Sequence, residues 1–125
     1  MGATHHIKIT AGTVTLAAEL NDTATAQKIA RALPLEARAN LWGEEIYFDI
    51  PVEAREEDGR DVVAVGDLGY WPPGSAFCIF FGRTPASHGD EIRPASPVNL
   101  VGRVVGDATE FKKVRNGERV RIEAA

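Results

Sequence analysis

The sequence predicts a mainly β domain, a barrel or a sandwich, carrying one three-turn helix and one short helix. Three observations lead there. Apolar and polar residues alternate with period two along most of the chain. Turn signals recur at short intervals, at Gly12, Gly43, Asp58-Gly59 and Asn116-Gly117, and only two stretches shift to helical spacing. With 125 residues, 44% of them hydrophobic and 26% charged, the chain reads as one domain over residues 1–125 with a single core.

Each element follows from local pattern. Ile7 and Ile9 alternate with Lys8 and Thr10; after Ala11-Gly12, Val14, Leu16, Ala18 and Leu20 share one face, which predicts a hairpin. Asn21-Asp22-Thr23 offers an N-cap, Ala26, Ile29, Ala30 and Leu33 form an apolar stripe, and Pro34 ends that helix. Alternation resumes without interruption from Leu35 through Ala37, Ala39 and Leu41. Gly43-Glu44-Glu45 reads as a turn, after which Ile46, Phe48 and Ile50 alternate with Tyr47 and Asp49 as far as Pro51.

A charged stretch, 53–61, and Val62 to Val65 lead into the densest segment, GDLGYWPPGSAFCIFFGRTP, residues 66–85. It holds three of the five Phe, one of the two Trp, one of the two Tyr and the only Cys. Leu68 to Trp71 reads as an extended approach to a rigid Pro72-Pro73-Gly74 corner, where Gly74 supplies the freedom to turn. Ala76 to Phe81 is apolar on both faces, so it predicts an interior strand covered on each side. Residues 82–97 form a long irregular loop with three prolines, a length that in compact domains tends to accompany function. Val98, Leu100 and Val104 resume a strand. Asp107 to Glu110 resembles a capping box opening a short helix through Lys113, and Val120 with Ile122 marks a last strand. The sum is seven or eight strands.

Charge and composition exclude several classes. A net charge of −4 with no basic face argues against a nucleic-acid partner. No run approaches the ~18 apolar residues of a membrane span. One cysteine makes no internal disulfide, and without a secretory leader the expectation is a cytoplasmic setting.

With these elements placed, the chain resembles a small prokaryotic family of cyclophilin-like barrel proteins. The residues that carry this are Asn21-Asp22-Thr23 through Leu33-Pro34, the 66–85 segment, and RPASPVNLVGRVVGD from Arg93 to Asp107. The resemblance spans nearly the whole chain. It implies a closed, mostly antiparallel barrel capped by helices, and it carries a fold rather than an activity. Gly74-Ser75-Ala76-Phe77-Cys78-Ile79 is also similar to the Gly-Ser-Gln-Phe-Phe-Ile strand of the peptidyl-prolyl isomerases. Ala76 stands where their substrate-binding Gln lies, Cys78 where an aromatic lines their proline pocket, and Ile50 where their catalytic Arg would fall. An Ile donates no hydrogen bond to a twisting peptide, so isomerase activity is disfavoured.

Few residues read as reactive. His5 and His6 are adjacent and would point to opposite faces of a strand; His88 with Asp90 and Glu91 reads as part of a solvated polar loop rather than a metal site. Cys78 sits in an apolar run and reads as a structural thiol, and Asp49 as a solvent-side acid. No catalytic residue, metal ligand or cofactor is assigned. The sequence therefore points to a small molecule or peptide as partner, bound at the barrel rim by Phe48, Tyr70, Trp71, Phe77 and Arg83 with the 82–97 loop as a lid. A weak prolyl isomerase or other enzyme, and an interaction module acting in an oligomer of undetermined size, are the alternatives.

Overall fold

The computed structural model describes residues 5–125. Nine strands are present: β1 (His5–Ala11), β2 (Val14–Leu20), β3 (Leu35–Arg38), β4 (Asn40–Leu41), β5 (Glu45–Asp49), β6 (Asp67–Trp71), β7 (Ala76–Phe80), β8 (Asn99–Val105) and β9 (Arg119–Ala124). They form one antiparallel sheet in the order β3-β9-β1-β2-β8-β6-β7-β5-β4. The first and last strands of that order, β3 and β4, are consecutive in the chain and separated only by Ala39. The sheet therefore curls round and meets itself at this residue, as a barrel. Ala39 is held there by Glu118 and Gly117, its N–H donating to one carbonyl and its own carbonyl accepting from the other N–H, each at 2.8 Å.

The uninterrupted alternation from Leu35 to Leu41 thus hides a change of partner. Leu35 to Arg38 pair with β9, whereas Asn40 and Leu41 pair with β5. Alternation fixes which face a residue shows but not which neighbour it pairs with, so the count is nine strands rather than seven or eight.

Inward-facing residues fill the barrel with a single apolar core that includes Ile7, Ile9, Leu20, Ile46, Leu68 and Ile79. Helix α1 (Ala24–Ala32) closes one end, with Ala26 and Ile29 buried and the Thr23 hydroxyl capping its N-terminus by accepting from the Ala26 N–H at 3.1 Å. The segment Ala108–Lys113 is a 3-10 helix, and Phe111 from it enters the core. Asp107 caps it through the Thr109 N–H, but Glu110 turns away to pair with Lys113, so the reciprocal half of a capping box is not made.

The corner after β6 is a 3-10 turn, Pro72–Gly74, and its left-handed residue is Ser75 (φ 47°, ψ 43°), not Gly74. Gly74 is needed for another reason. A Cβ there would sit 2.9 Å from the Trp71 ring, so the missing side chain lets that indole lie over the corner.

A second, smaller apolar cluster lies outside the barrel, on the outer face of β7. Ala76, Cys78 and Phe80 are covered there by Val63, Ile92 and Val98. The covering chain is the predicted irregular loop, fastened down at several points. Ile92 and Val98 bridge to Val63 and Arg60, the buried Thr84 hydroxyl donates to the Arg93 carbonyl, and Trp71 Nε1 donates to Ser96 Oγ at 2.7 Å. All five residues of β7 are buried, as expected for a strand covered on both sides.

Candidate functional site

Strand parity decides what each aromatic residue can touch. Across β5 and β7, Phe48 pairs with Phe77 and Ile46 with Ile79, and these point inward. Glu45 opposite Phe80, Tyr47 opposite Cys78 and Asp49 opposite Ala76 point outward. Across β6 and β7, Tyr70 opposite Phe77 points inward, while Trp71 opposite Ala76 points outward.

The five residues expected to form a rim site are consequently dispersed. Phe48 and Phe77 stack on each other inside the barrel, ring centroids 5.6 Å apart, and are fully covered. Tyr70 has no exposed surface; its hydroxyl donates to the Val52 carbonyl at 2.7 Å and accepts from the Ala54 N–H at 3.2 Å. It fastens the 51–66 segment to the barrel. Arg83 is exposed, and what it contributes to its surroundings is its backbone carbonyl, which accepts from the Glu44 N–H at 2.8 Å. Trp71 alone of the five borders an open space.

That space is a hollow of about 200 Å³ between the outer face of the sheet and the covering loop. Trp42, Glu45, Tyr47, Trp71 and Cys78 contribute from the sheet side, and Pro94, Ala95 and Val98 from the loop. A cavity of ~150 Å³ in an apolar setting suffices to hold benzene, so this one is large enough for a small organic group. The lining is mostly apolar and carries one carboxyl, that of Glu45. Gly69, opposite Cys78 on β6, leaves room for the cover: a Cβ there would press on Val98 at 3.1 Å and on the Phe80 ring at 3.3 Å.

Glu45 is the residue that the sequence did not single out. Instead of ending a turn it opens β5, and its side chain is 5% exposed. Burial pushes its carboxyl from 4.5 up to about 7, a rise only partly offset by the adjacent Cys78 thiol. Burial, and then the charge of Glu45, push the Cys78 thiol upward in turn, so it is neutral at ordinary pH and is no ready nucleophile. Its next acid neighbour in sequence, Glu44, is differently placed and pairs with Lys112 at 3.4 Å.

The other polar candidates lie apart from the hollow. Glu91 pairs with Arg93 at 2.7 Å and accepts from the His88 N–H, which organises the loop. Among the described residues, no three His, Cys, Asp or Glu side chains converge as a metal site. No helix among them is long and apolar enough to cross a membrane.

The profile of the cyclophilin-like family matches residues 5–123. The solution structure of a hypothetical protein from Archaeoglobus fulgidus is similar over 100% of this chain and 98% of its own, with a TM-score of 0.84 and 42% sequence identity. A search of curated proteins gives no match. A closed antiparallel barrel with one capping helix, a profile match over almost the whole sequence and a relative of this similarity agree: the chain belongs to the cyclophilin-like family.

Proposed function

We infer that the protein is a binding barrel whose ligand, a small molecule, seats in the hollow on the outer face of β5, β6 and β7 rather than at the barrel rim. The observation that carries this reading is the pairing of an apolar enclosure with a single buried carboxyl, Glu45. Ligand sites are mostly apolar with a few placed polar groups, and an acid is rarely buried without a reason. The interior of the barrel supplies rigidity, and the loop over the hollow supplies the roof. A single buried thiol with no disulfide partner suits a reducing, cytoplasmic setting.

The test uses the two tryptophans, since both border the hollow. A fragment screen followed by ¹H–¹⁵N spectra would show both indole N–H resonances shifting together when a compound enters, and W71A would abolish the response. If no fragment moves either indole, the reading is wrong.

One observation favours a second reading, a peptidyl-prolyl isomerase. Ala76 and Cys78, matched by resemblance to the substrate-binding Gln and the proline-pocket aromatic, both face outward on the side where the hollow lies. Against it, Ile50, at the position matched to the catalytic Arg, is 7% exposed and packs in the barrel core. A coupled assay on Xaa-Pro peptides decides; a rate equal to that in buffer removes this reading.

A further inference from the structure

We propose that the hollow is a site for an organic ammonium ion, with the Trp42, Tyr47 and Trp71 rings surrounding its alkyl groups and the Glu45 carboxylate supplying the opposite charge. This rests on the reading of the hollow as a small-molecule site and specifies the ligand class.

Three features converge. First, both tryptophans of the chain and one of its two tyrosines border this one space, although Trp71 lies far in sequence from Trp42 and Tyr47. Indole and phenol rings attract cations through their π faces, Trp most strongly, and more so as the cation is desolvated. Second, Glu45 is buried at the same space, and among the described residues no Lys, Arg or His lies within ion-pair distance of it. An ionised carboxylate out of water is unfavourable unless a cation accompanies it, and a bound ammonium provides that charge. Third, the remaining lining is Cys78, Pro94, Ala95 and Val98, which matches alkyl substituents better than a strongly hydrated primary ammonium or an inorganic ion.

The titratable groups that border the hollow are Glu45 and Tyr47 from β5 and Cys78 from β7; the loop contributes none. Burial pushes the Cys78 thiol upward, so it is neutral near pH 7. Ammonium affinity should therefore follow the ionisation of Glu45.

The experiment is a titration of the full chain with choline and, in parallel, with its uncharged isostere 3,3-dimethylbutan-1-ol, followed by the two indole resonances and by calorimetry. The expected result is choline binding at least tenfold tighter than the alcohol at pH 8. Choline binding should weaken roughly tenfold from pH 8 to pH 6, where about a tenth of a carboxyl with pKa about 7 is ionised. In E45Q the preference for the cation should vanish. Equal binding of the two compounds overturns the ammonium assignment and leaves the small-molecule reading standing. No choline response also overturns it, and the separate fragment screen then decides whether the hollow binds anything. Because the choline-to-alcohol ratio is read on the unaltered protein, the conclusion survives a poorly folded E45Q.

Discussion

Replacing Glu45 with Gln removes a group whose ionisation the fold opposes, and the consequence for stability can be worked out in sign and size. In the unfolded chain the carboxyl titrates near 4.5, and in the folded chain near 7. Below pH 4.5 it is neutral in both states and exacts no penalty. As pH rises through this window the unfolded chain ionises while the folded chain holds its proton, so stability falls. Above about pH 7 both are ionised and the loss is complete. At ~1.36 kcal/mol per pH unit the total is about 3 kcal/mol. The Cys78 thiol, pushed upward by burial, remains neutral throughout and adds nothing of its own in this range. Gln keeps the shape of the side chain and never ionises. Urea unfolding of both proteins at pH 4.5 and at pH 8 isolates the effect, because every other carboxyl contributes equally to each and cancels in the difference. The variant should gain about 3 kcal/mol on the wild type between the two pH values. A difference that stays flat, or moves the opposite way, would refute the claim that Glu45 is a buried, uncompensated acid.

Two further predictions concern the frame around the site. Asn99 is fully buried; its amide donates to Thr25 Oγ1 at 3.0 Å and to the Arg55 carbonyl at 2.8 Å, and its Oδ1 accepts from the Glu57 N–H at 2.7 Å. Glu57 in turn accepts from the Ala24 and Thr25 N–H groups at the start of α1. N99A should lower stability by about 2–3 kcal/mol and speed tryptic cleavage after the exposed Arg55 and Arg60, as read by denaturation and limited proteolysis. Unchanged cleavage would show that this network does not hold the 51–66 segment. Gly102 in β8 approaches β2 so closely that a Cβ would fall 2.0 Å from the Glu19 carbonyl oxygen. G102A should therefore cost about 3 kcal/mol or yield no folded protein, and a melting temperature within a degree or two of wild type would contradict that close approach.

Much of the barrel was legible because burial on one face writes itself as alternation. The β1–β2 hairpin, the capped helix and the doubly covered β7 all carry that signature, and Thr23 and Pro34 bracket α1 as expected. The break at Ala39 left no mark, since residues on either side continue the same parity while exchanging β9 for β5 as a partner. The site was half legible. Aromatic density drew attention to Trp71, but parity within the same segment should have separated it from Tyr70, and Cys78 from Phe77. Glu45 was missed because an acid beside a Gly and another Glu reads as a solvated turn. A signal was nonetheless present: a strand apolar on both faces demands an outer cover, and 82–97 was the one stretch long enough to provide it. Any polar residue of the neighbouring strands facing that way had to lie beneath the cover.

The one-residue alternation along β7 has an evolutionary and engineering consequence. Phe77 and Ile79 hold the barrel together, while their sequence neighbours Ala76 and Cys78 look out under the loop. Core packing and the covered outer face are thus interleaved along a single ribbon yet face opposite compartments. Were the hollow a ligand site as proposed, Cys78 and the roof at Pro94 and Ala95 could be exchanged to suit a new guest while the fold's own anchor points are left untouched.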